Sequence, residues 1–183
     1  MPTMPINTPM NTQSFVALDT ETTGFSPRFS HLIQISAVRF EDGKELEHFD
    51  SWIRVARPPK QEILDLVGVT WEELRAAPEK EVVMEAFKAF IEPGERLVFH
   101  NAPFDMGFLA KAGFEAGMCP ISDTQSFAQM LHLLPNYKLE TVARAFGVCL
   151  DNAHNALADA RATGEIYLAL KEGRSPNLNQ KAA

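Results

Sequence analysis

Phe15-Val-Ala-Leu18 is an unbroken apolar run, the pattern of a strand covered on both faces, and it predicts a first strand over Phe15 to Asp19. From Leu32 to Phe40 the period is two: Ile33, Ile35 and Ala37 alternate with Gln34 and Ser36, which predicts a second strand. The turn Glu41-Asp-Gly-Lys44 carries an Asp-Gly hairpin signal, so a third strand, roughly Leu46 to Val55, should return antiparallel. The tandem prolines Pro58 and Pro59 end this run, because proline donates nothing to a ladder.

Beyond the prolines the period lengthens. Val83, Phe87 and Phe90 recur at i, i+4 and i+7, predicting a helix that stops at Pro93-Gly94. A short strand over Arg96 to His100 and a helix over Phe104 to Ala112 follow, then a strand near Ile121. The next helix places Phe127, Met130, Leu131 and Leu134 on one stripe, and another presents Leu139, Val142, Ala143 and Phe146 before Gly147 closes it. A last helix, about Asn155 to Leu170, presents Leu157, Ala160, Tyr167 and Leu168. Three antiparallel strands followed by alternating helices and strands predict an α/β fold: one mixed five-stranded sheet with helices on both faces. Residues 14–172 read as a single domain, with residues 1–13 and 173–183 as disordered ends and Met10 as an alternative start.

At 183 residues and 45% hydrophobic, the chain can fill one sizeable core. A formal net charge of -7 argues against extensive clamping of a long duplex and leaves room for a small nucleic-acid footprint, such as a strand end. Cys119 and Cys149 lack CxxC spacing and are expected to be two buried thiols in a reducing, cytoplasmic setting. The first thirteen residues have neither the basic nor the apolar region of a signal peptide, and no apolar stretch approaches the roughly 18 residues that span a bilayer.

Candidate chemistry begins at Asp19-Thr-Glu21. Strand alternation points both acids to one face and Thr20 away. Two carboxylates at the end of a buried strand repel unless a cation neutralises them. Alone, the pair reads as well as a surface feature. Two downstream segments add to it: His100-Asn-Ala-Pro-Phe-Asp105 and His154-Asn-Ala-Leu-Ala-Asp159. Asp105 should sit where a strand feeds a helix, and Asp159 in the first turns of the last helix, places where α/β sheets put ligand sites. Taken singly, Asp105 reads as a helix cap and His100 as satisfying a backbone carbonyl.

His154 precedes Asp159 by five residues, about 140° around a helix, so both reach one site only if His154 lies on the loop before it. A loop-borne histidine suits a general base, and its ordinary pKa near 6.5 lets it take a proton from water near neutrality. Four carboxylates and an imidazole are the components of a phosphodiester hydrolase using two divalent ions about 4 Å apart. All-oxygen ligation favours Mg²⁺ or Mn²⁺ over zinc.

In this order, Asp19-Thr-Glu-Thr-Thr-Gly24, His100-Asn-Ala-Pro-Phe-Asp105 and His154-x4-Asp159 resemble the motifs of the DEDDh (DnaQ-like) family of 3′–5′ exonucleases. That family includes the proofreading epsilon subunit of bacterial DNA polymerase III and ribonuclease T. The resemblance runs from about Phe15 to Leu170 and implies a ribonuclease H-like fold. It implies that Asp19, Glu21 and Asp159 bind a first metal, that Asp19 is shared with a second, and that Asp105 helps hold the second through water. His154 would be the general base, and nucleoside 5′-monophosphates would leave from 3′ ends.

Thr22, Thr23 and Gly24 would let hydroxyls and backbone approach the terminal nucleotide. Phe25 falls where family members often carry an apolar wedge that stacks on the last bases; core filling is its other reading. Thr20, His100, Asn101 and Phe104 complete the candidate substrate contacts, with His100 read also as an orienting residue, Phe104 and Phe108 as core, and Asp123 as structural. Two positions depart from the family pattern: Gln34 stands where Glu is common, and Val67 where many members have a histidine. The long extension by which the epsilon subunit binds its polymerase is not evident, which favours a free-standing exonuclease.

The expectation is a Mg²⁺- or Mn²⁺-dependent 3′–5′ exonuclease acting on single-stranded DNA ends, with a polymerase, repair or replication partner left open. Ribonuclease T-like RNA trimming is the alternative within the class, and a non-catalytic binding module the alternative outside it.

Overall fold

A computed structural model of the chain describes residues 14–150 and 154–177. Five strands, β1 (Phe15–Thr22), β2 (Leu32–Glu41), β3 (Lys44–Trp52), β4 (Arg96–Phe99) and β5 (Ile121–Asp123), form one sheet in the order β3-β2-β1-β4-β5. The pairs β1–β2 and β2–β3 are antiparallel, while β1–β4 and β4–β5 are parallel. The β2–β3 turn fulfils the Asp-Gly signal, with Asp42 (φ 49°) and Gly43 (φ 78°) both in the left-handed region that a tight hairpin requires.

Seven helices accompany the strands among the described residues: α1 (Gln61–Val67), α2 (Trp71–Ala76), α3 (Lys80–Phe90), α4 (Ala102–Lys111), α5 (Thr124–Met130), α6 (Leu139–Phe146) and α7 (Ala156–Lys171). They cover both sheet faces, and the alternation in β1 decides which residue meets which layer. Val16 and Leu18 pack with Phe87 of α3 and with Phe108 and Leu109 of α4. Phe15 and Ala17 face α7 through Ala160 and Tyr167. On that side the Phe15 ring stacks on Phe40 at 5.0 Å and meets Tyr167 edge-on at 4.8 Å. α7 lies so close to β2 that a Cβ on Gly164 would stand 2.2 Å from the Phe40 ring. Asp19 and Glu21 share the parity of Phe15 and Ala17, so they belong to the α7 face, and Thr20 belongs to the α4 face.

Three expectations need correction. The segment after Pro59 does more than end the sheet: it forms α1, closed by Gly68 at φ 71°, and α2, opened by a reciprocal Thr70–Glu73 capping box. Leu64, Val67, Val69 and Leu74 from this segment bury against Ile33 and Val55. α5 ends at Met130, and the apolar stripe of Phe127, Met130 and Leu131 is exposed, whereas Thr124 and Ala128 are buried. A single turn or two of helix presents its smallest residues inward here, which an apolar count overlooks. Finally, Cys119 is half-buried and Cys149 exposed, because both lie in surface connections, so the expectation of two buried thiols fails.

The expectations for residues 1–13, and for the end of the tail, fall outside the described residues. Residues 173–177 follow α7 without regular structure, and the Asn177 N–H donates to the Ala145 carbonyl at 2.7 Å. Among the described residues no helix is long and apolar enough to cross a membrane.

Candidate active site

Pairing between β1 and β4 stops at Ala17–Val98, after which β4 turns away through His100 and Asn101 into α4. The divergence opens a cleft at the carboxyl ends of the two parallel strands, the usual ligand position in an α/β sheet. Asp19 and Glu21 stand beside it on the last residues of β1, opposite Ser36 and Gln34 of β2. The cleft holds about 600 Å³.

α7 supplies the facing group. Asn155 caps this helix, its side chain accepting from the Ala158 N–H, and Asp159 lies in the first turn. Oxygens of Asp19, Glu21 and Asp159 all fall within 4.8 Å of one another. His154 sits on the connection before α7, as its spacing to Asp159 demands, with φ 70°. Its backbone N–H donates to Asp159 Oδ2 at 3.2 Å, and its ring Nε2 stands 3.8 Å from Glu140 of α6. Residues 151–153 of that connection lie outside the described residues.

Asp105 comes from the first turn of α4 and is buried behind the cleft wall. It accepts a 2.7 Å hydrogen bond from the Thr20 hydroxyl, so the residue between the two β1 acids reaches to the opposite sheet face and holds the fourth carboxylate.

Burial dominates the electrostatics. It is the largest cause lifting Asp19 well above the usual carboxylate range, reinforced by Asp105, Asp159 and Glu21 in turn. Glu21 rises to about 8, first through burial and then through Asp159 and Asp105. Burial lifts Asp105 to about 7 against the hydrogen bond from Thr20, and Asp159 to about 6 against the His154 N–H. Asp159 Oδ1 is buried without a protein hydrogen-bond partner. Converging oxygens, mutual repulsion and an orphaned buried acceptor together fit a hard divalent cation, which would neutralise the set and satisfy that oxygen.

The remaining expected residues divide. Thr20, Thr22, Gly24, Phe25, His100, Asn101 and Phe104 all line the cleft. Thr23 does not: its hydroxyl and N–H tie to the backbone of His31 and close the base of the β1–β2 loop. The Phe25 ring is 93% exposed, which excludes core filling, whereas Phe108 is core and Phe104 half-buried. His100 has a pKa lowered chiefly by burial. A carbonyl only accepts, so its Nε2–H donates to Tyr137 O at 2.9 Å, and Nδ1 meets the Thr124 hydroxyl at 2.8 Å. It therefore fastens the cleft wall to the start of α5. Asp123 is structural: its carboxylate caps α5 and also takes the Asn101 N–H.

Sequence reading missed Ile63, Leu66, Lys138, Glu140 and Leu150, which also line the cleft. None carries a motif; only the tertiary fold brings them to Asp19. Ile63, Leu66 and Val67 of α1 with Phe25 form an apolar wall that looks toward the acids, and Val67 takes its place there as a packing residue. At the other departure, buried Gln34 donates to Asp50 and adds no charge beside Glu21.

Similarity to known proteins agrees with this geometry. The chain is 36% identical over 163 residues to the PolC-type DNA polymerase III of Halalkalibacterium halodurans, covering 86% of this chain and 11% of the polymerase. It is 34% identical over 170 residues to that of Pediococcus pentosaceus, covering 90% of this chain and 12% of the polymerase. The chain thus spans about a ninth of the polymerases it matches. Among solved structures, E. coli Exonuclease I in complex with a dT13 oligonucleotide superposes with a TM-score of 0.75 at 20% identity, over 86% of this chain and 41% of that one. The zinc-bound form of its complex with single-stranded DNA gives 0.75 at 20% identity, over 88% and 41%. These neighbours share the ribonuclease H-like fold. With the RNase T exonuclease model matching residues 16–167, from Val16 of β1 through Tyr167 of α7, the chain belongs to the exonuclease family.

Proposed function

We propose that this chain is a metal-dependent 3′–5′ exonuclease that removes nucleoside 5′-monophosphates from single-stranded DNA ends. The convergence of Asp19, Glu21 and Asp159 at the floor of a cleft with an apolar wall carries the reading. Asp19, Glu21 and Asp159 would hold one divalent ion, and Asp105, buried outside that group, would help hold a second through water together with Asp19. Bound there, such ions lower the pKa of water and stabilise the departing oxygen of an in-line displacement.

The chain supplies the rest. His154, at the cleft edge, accepts the proton of the attacking water as the phosphorus–O3′ bond breaks, and the departing oxygen takes a proton from solvent, leaving a 5′-monophosphate and a shortened strand with a new 3′-hydroxyl. Glu140 beside Nε2 orients the imidazole, and the His154 N–H on Asp159 fixes its backbone relative to the ligand set. The apolar wall of Phe25, Ile63, Leu66 and Val67 takes bases by stacking and contact, which tolerates any sequence. Placing the acids on one side and the apolar wall on the other sorts phosphate from base.

DNA is favoured over RNA by the PolC-type relatives and by Exonuclease I, whose structures hold a dT13 oligonucleotide and single-stranded DNA. The test is a product ladder from 5′-labelled and 3′-labelled DNA and RNA of matched sequence, with and without Mg²⁺. Mononucleotide release from the 3′ end of DNA, abolished in Asp19→Ala and Asp159→Ala with circular dichroism unchanged, is the expected result. Full activity in either variant, or preferential trimming of RNA, would overturn the corresponding part.

A further inference from the structure

The loop between β1 and β2 carries a second exposed phenyl ring, Phe29, 78% exposed, four residues beyond Phe25. Apart from Phe25 no other described aromatic ring is as exposed; Phe127 reaches 41%. An isolated exposed apolar residue needs no explanation, but two large rings in one short loop do, the first of them lining the cleft. Arg28 lies over the Phe29 ring, its guanidinium carbon 5.2 Å from the centroid.

This loop is built rather than slack. The Thr22 hydroxyl donates to the Gly24 carbonyl at 2.8 Å, and the Phe29 and Ser30 N–H groups both donate to the Ser26 carbonyl. Lys111 of α4 donates to the Ser30 carbonyl at 2.9 Å. Pro27 seats against α4 where a Cβ on Gly107 would come within 3.0 Å of its ring. Both phenyl rings are therefore presented to solvent by a pinned backbone, a cheap arrangement for binding because little is left to order.

We propose that Phe29, with Arg28 beside it, is a stacking station for bases of the single strand that lie upstream of the terminal nucleotide. The proposal rests on the nuclease reading of the cleft. Three observations select this occupant. The loop continues directly from the strand bearing Asp19 and Glu21, and its first aromatic, Phe25, already lines the cleft. A flat ring paired with a guanidinium offers a base a π-face and its phosphate a positive charge. In a chain of net charge -7, such a contact gains affinity for a polyanion without a broad basic surface.

Two measurements separate the proposal from the reading beneath it. Hydrolysis of the p-nitrophenyl ester of thymidine 5′-monophosphate by the wild-type chain, with Mg²⁺ or Mn²⁺, tests the cleft with a substrate that has no upstream base. No hydrolysis would sink the reading. The station is tested by fluorescence anisotropy with 5′-labelled oligothymidylates in Ca²⁺. Phe29→Ala should weaken binding of a strand of about a dozen residues about tenfold, the factor for losing one stacked base. Phe29→Trp should restore it, and a strand of about three residues should bind wild type and Phe29→Ala within about twofold. Because Phe29 is so exposed, unchanged melting of the variant is expected and serves as the folding control. Equal affinity of wild type and Phe29→Ala for the longer strand would overturn the proposal.

Discussion

Thr20 sits between two catalytic candidates and serves a third. Its hydroxyl is the side-chain donor that the buried Asp105 receives, and Asp105 already rises to about 7 because burial outweighs that bond. Thr20→Val keeps the shape and removes the donor, so the Asp105 pKa should climb further and its ionised fraction near neutrality should fall. At limiting Mg²⁺ we expect the rate near pH 7 to drop about tenfold, a charge-assisted hydrogen bond being worth about 1.5–3 kcal/mol, with recovery toward pH 9. A pH–rate profile of the variant checks this; an unchanged profile would mean that Thr20 does not tune Asp105. The sequence showed that Thr20 points away from its neighbours, since alternation is local. It did not show what Thr20 meets, because its partner lies 85 residues away on another layer. Glu140 beside His154 was hidden because it lies on α6, a different element from the connection that carries His154.

At the scale of elements, long periodic segments declared themselves and short ones did not. β2, α3, α6 and α7 were readable because repeats of two or 3.6 residues accumulate in each, and β1 because its apolar run is unbroken. α1 and α2, seven and six residues long, are too short for periodicity to show. Yet α1 supplies the apolar wall of the cleft. α7 is the most constrained element, since it both covers β1 and β2 and carries Asp159. Gly164→Ala drives a methyl into the Phe40 ring, and we expect a loss of about 1–3 kcal/mol from overpacking, read as a lower urea midpoint. Displacement of α7 should also weaken divalent-ion affinity, measured by titration calorimetry. Full stability in this variant would show that the α7–β2 spacing is slack.

Over the whole molecule, the clustered acids make stability depend on pH and on metal. Glu21, Asp105 and Asp159 titrate at about 8, 7 and 6 in the fold, chiefly through burial, all above ordinary carboxylates. The folded chain therefore holds protons that the unfolded chain has released, and the metal-free protein loses stability as pH rises from about 4 through about 8. A divalent ion takes only the deprotonated set and restores what was lost. Melting temperature should therefore rise with Mg²⁺ by several degrees at about pH 8.5 and hardly at all at about pH 5.5. An equal Mg²⁺ effect at both values would place the ion away from these acids.

The acid set also has an order of appearance during synthesis. Asp19 and Glu21 emerge with the first strand, but the set closes only when α7 brings Asp159, after every strand of the sheet has been made. A chain interrupted before that helix would carry the family's opening motif and lack the third carboxylate of the converging set. On the proposed nuclease reading, this topology is a built-in delay: the three converging carboxylates come together only once α7 has been made.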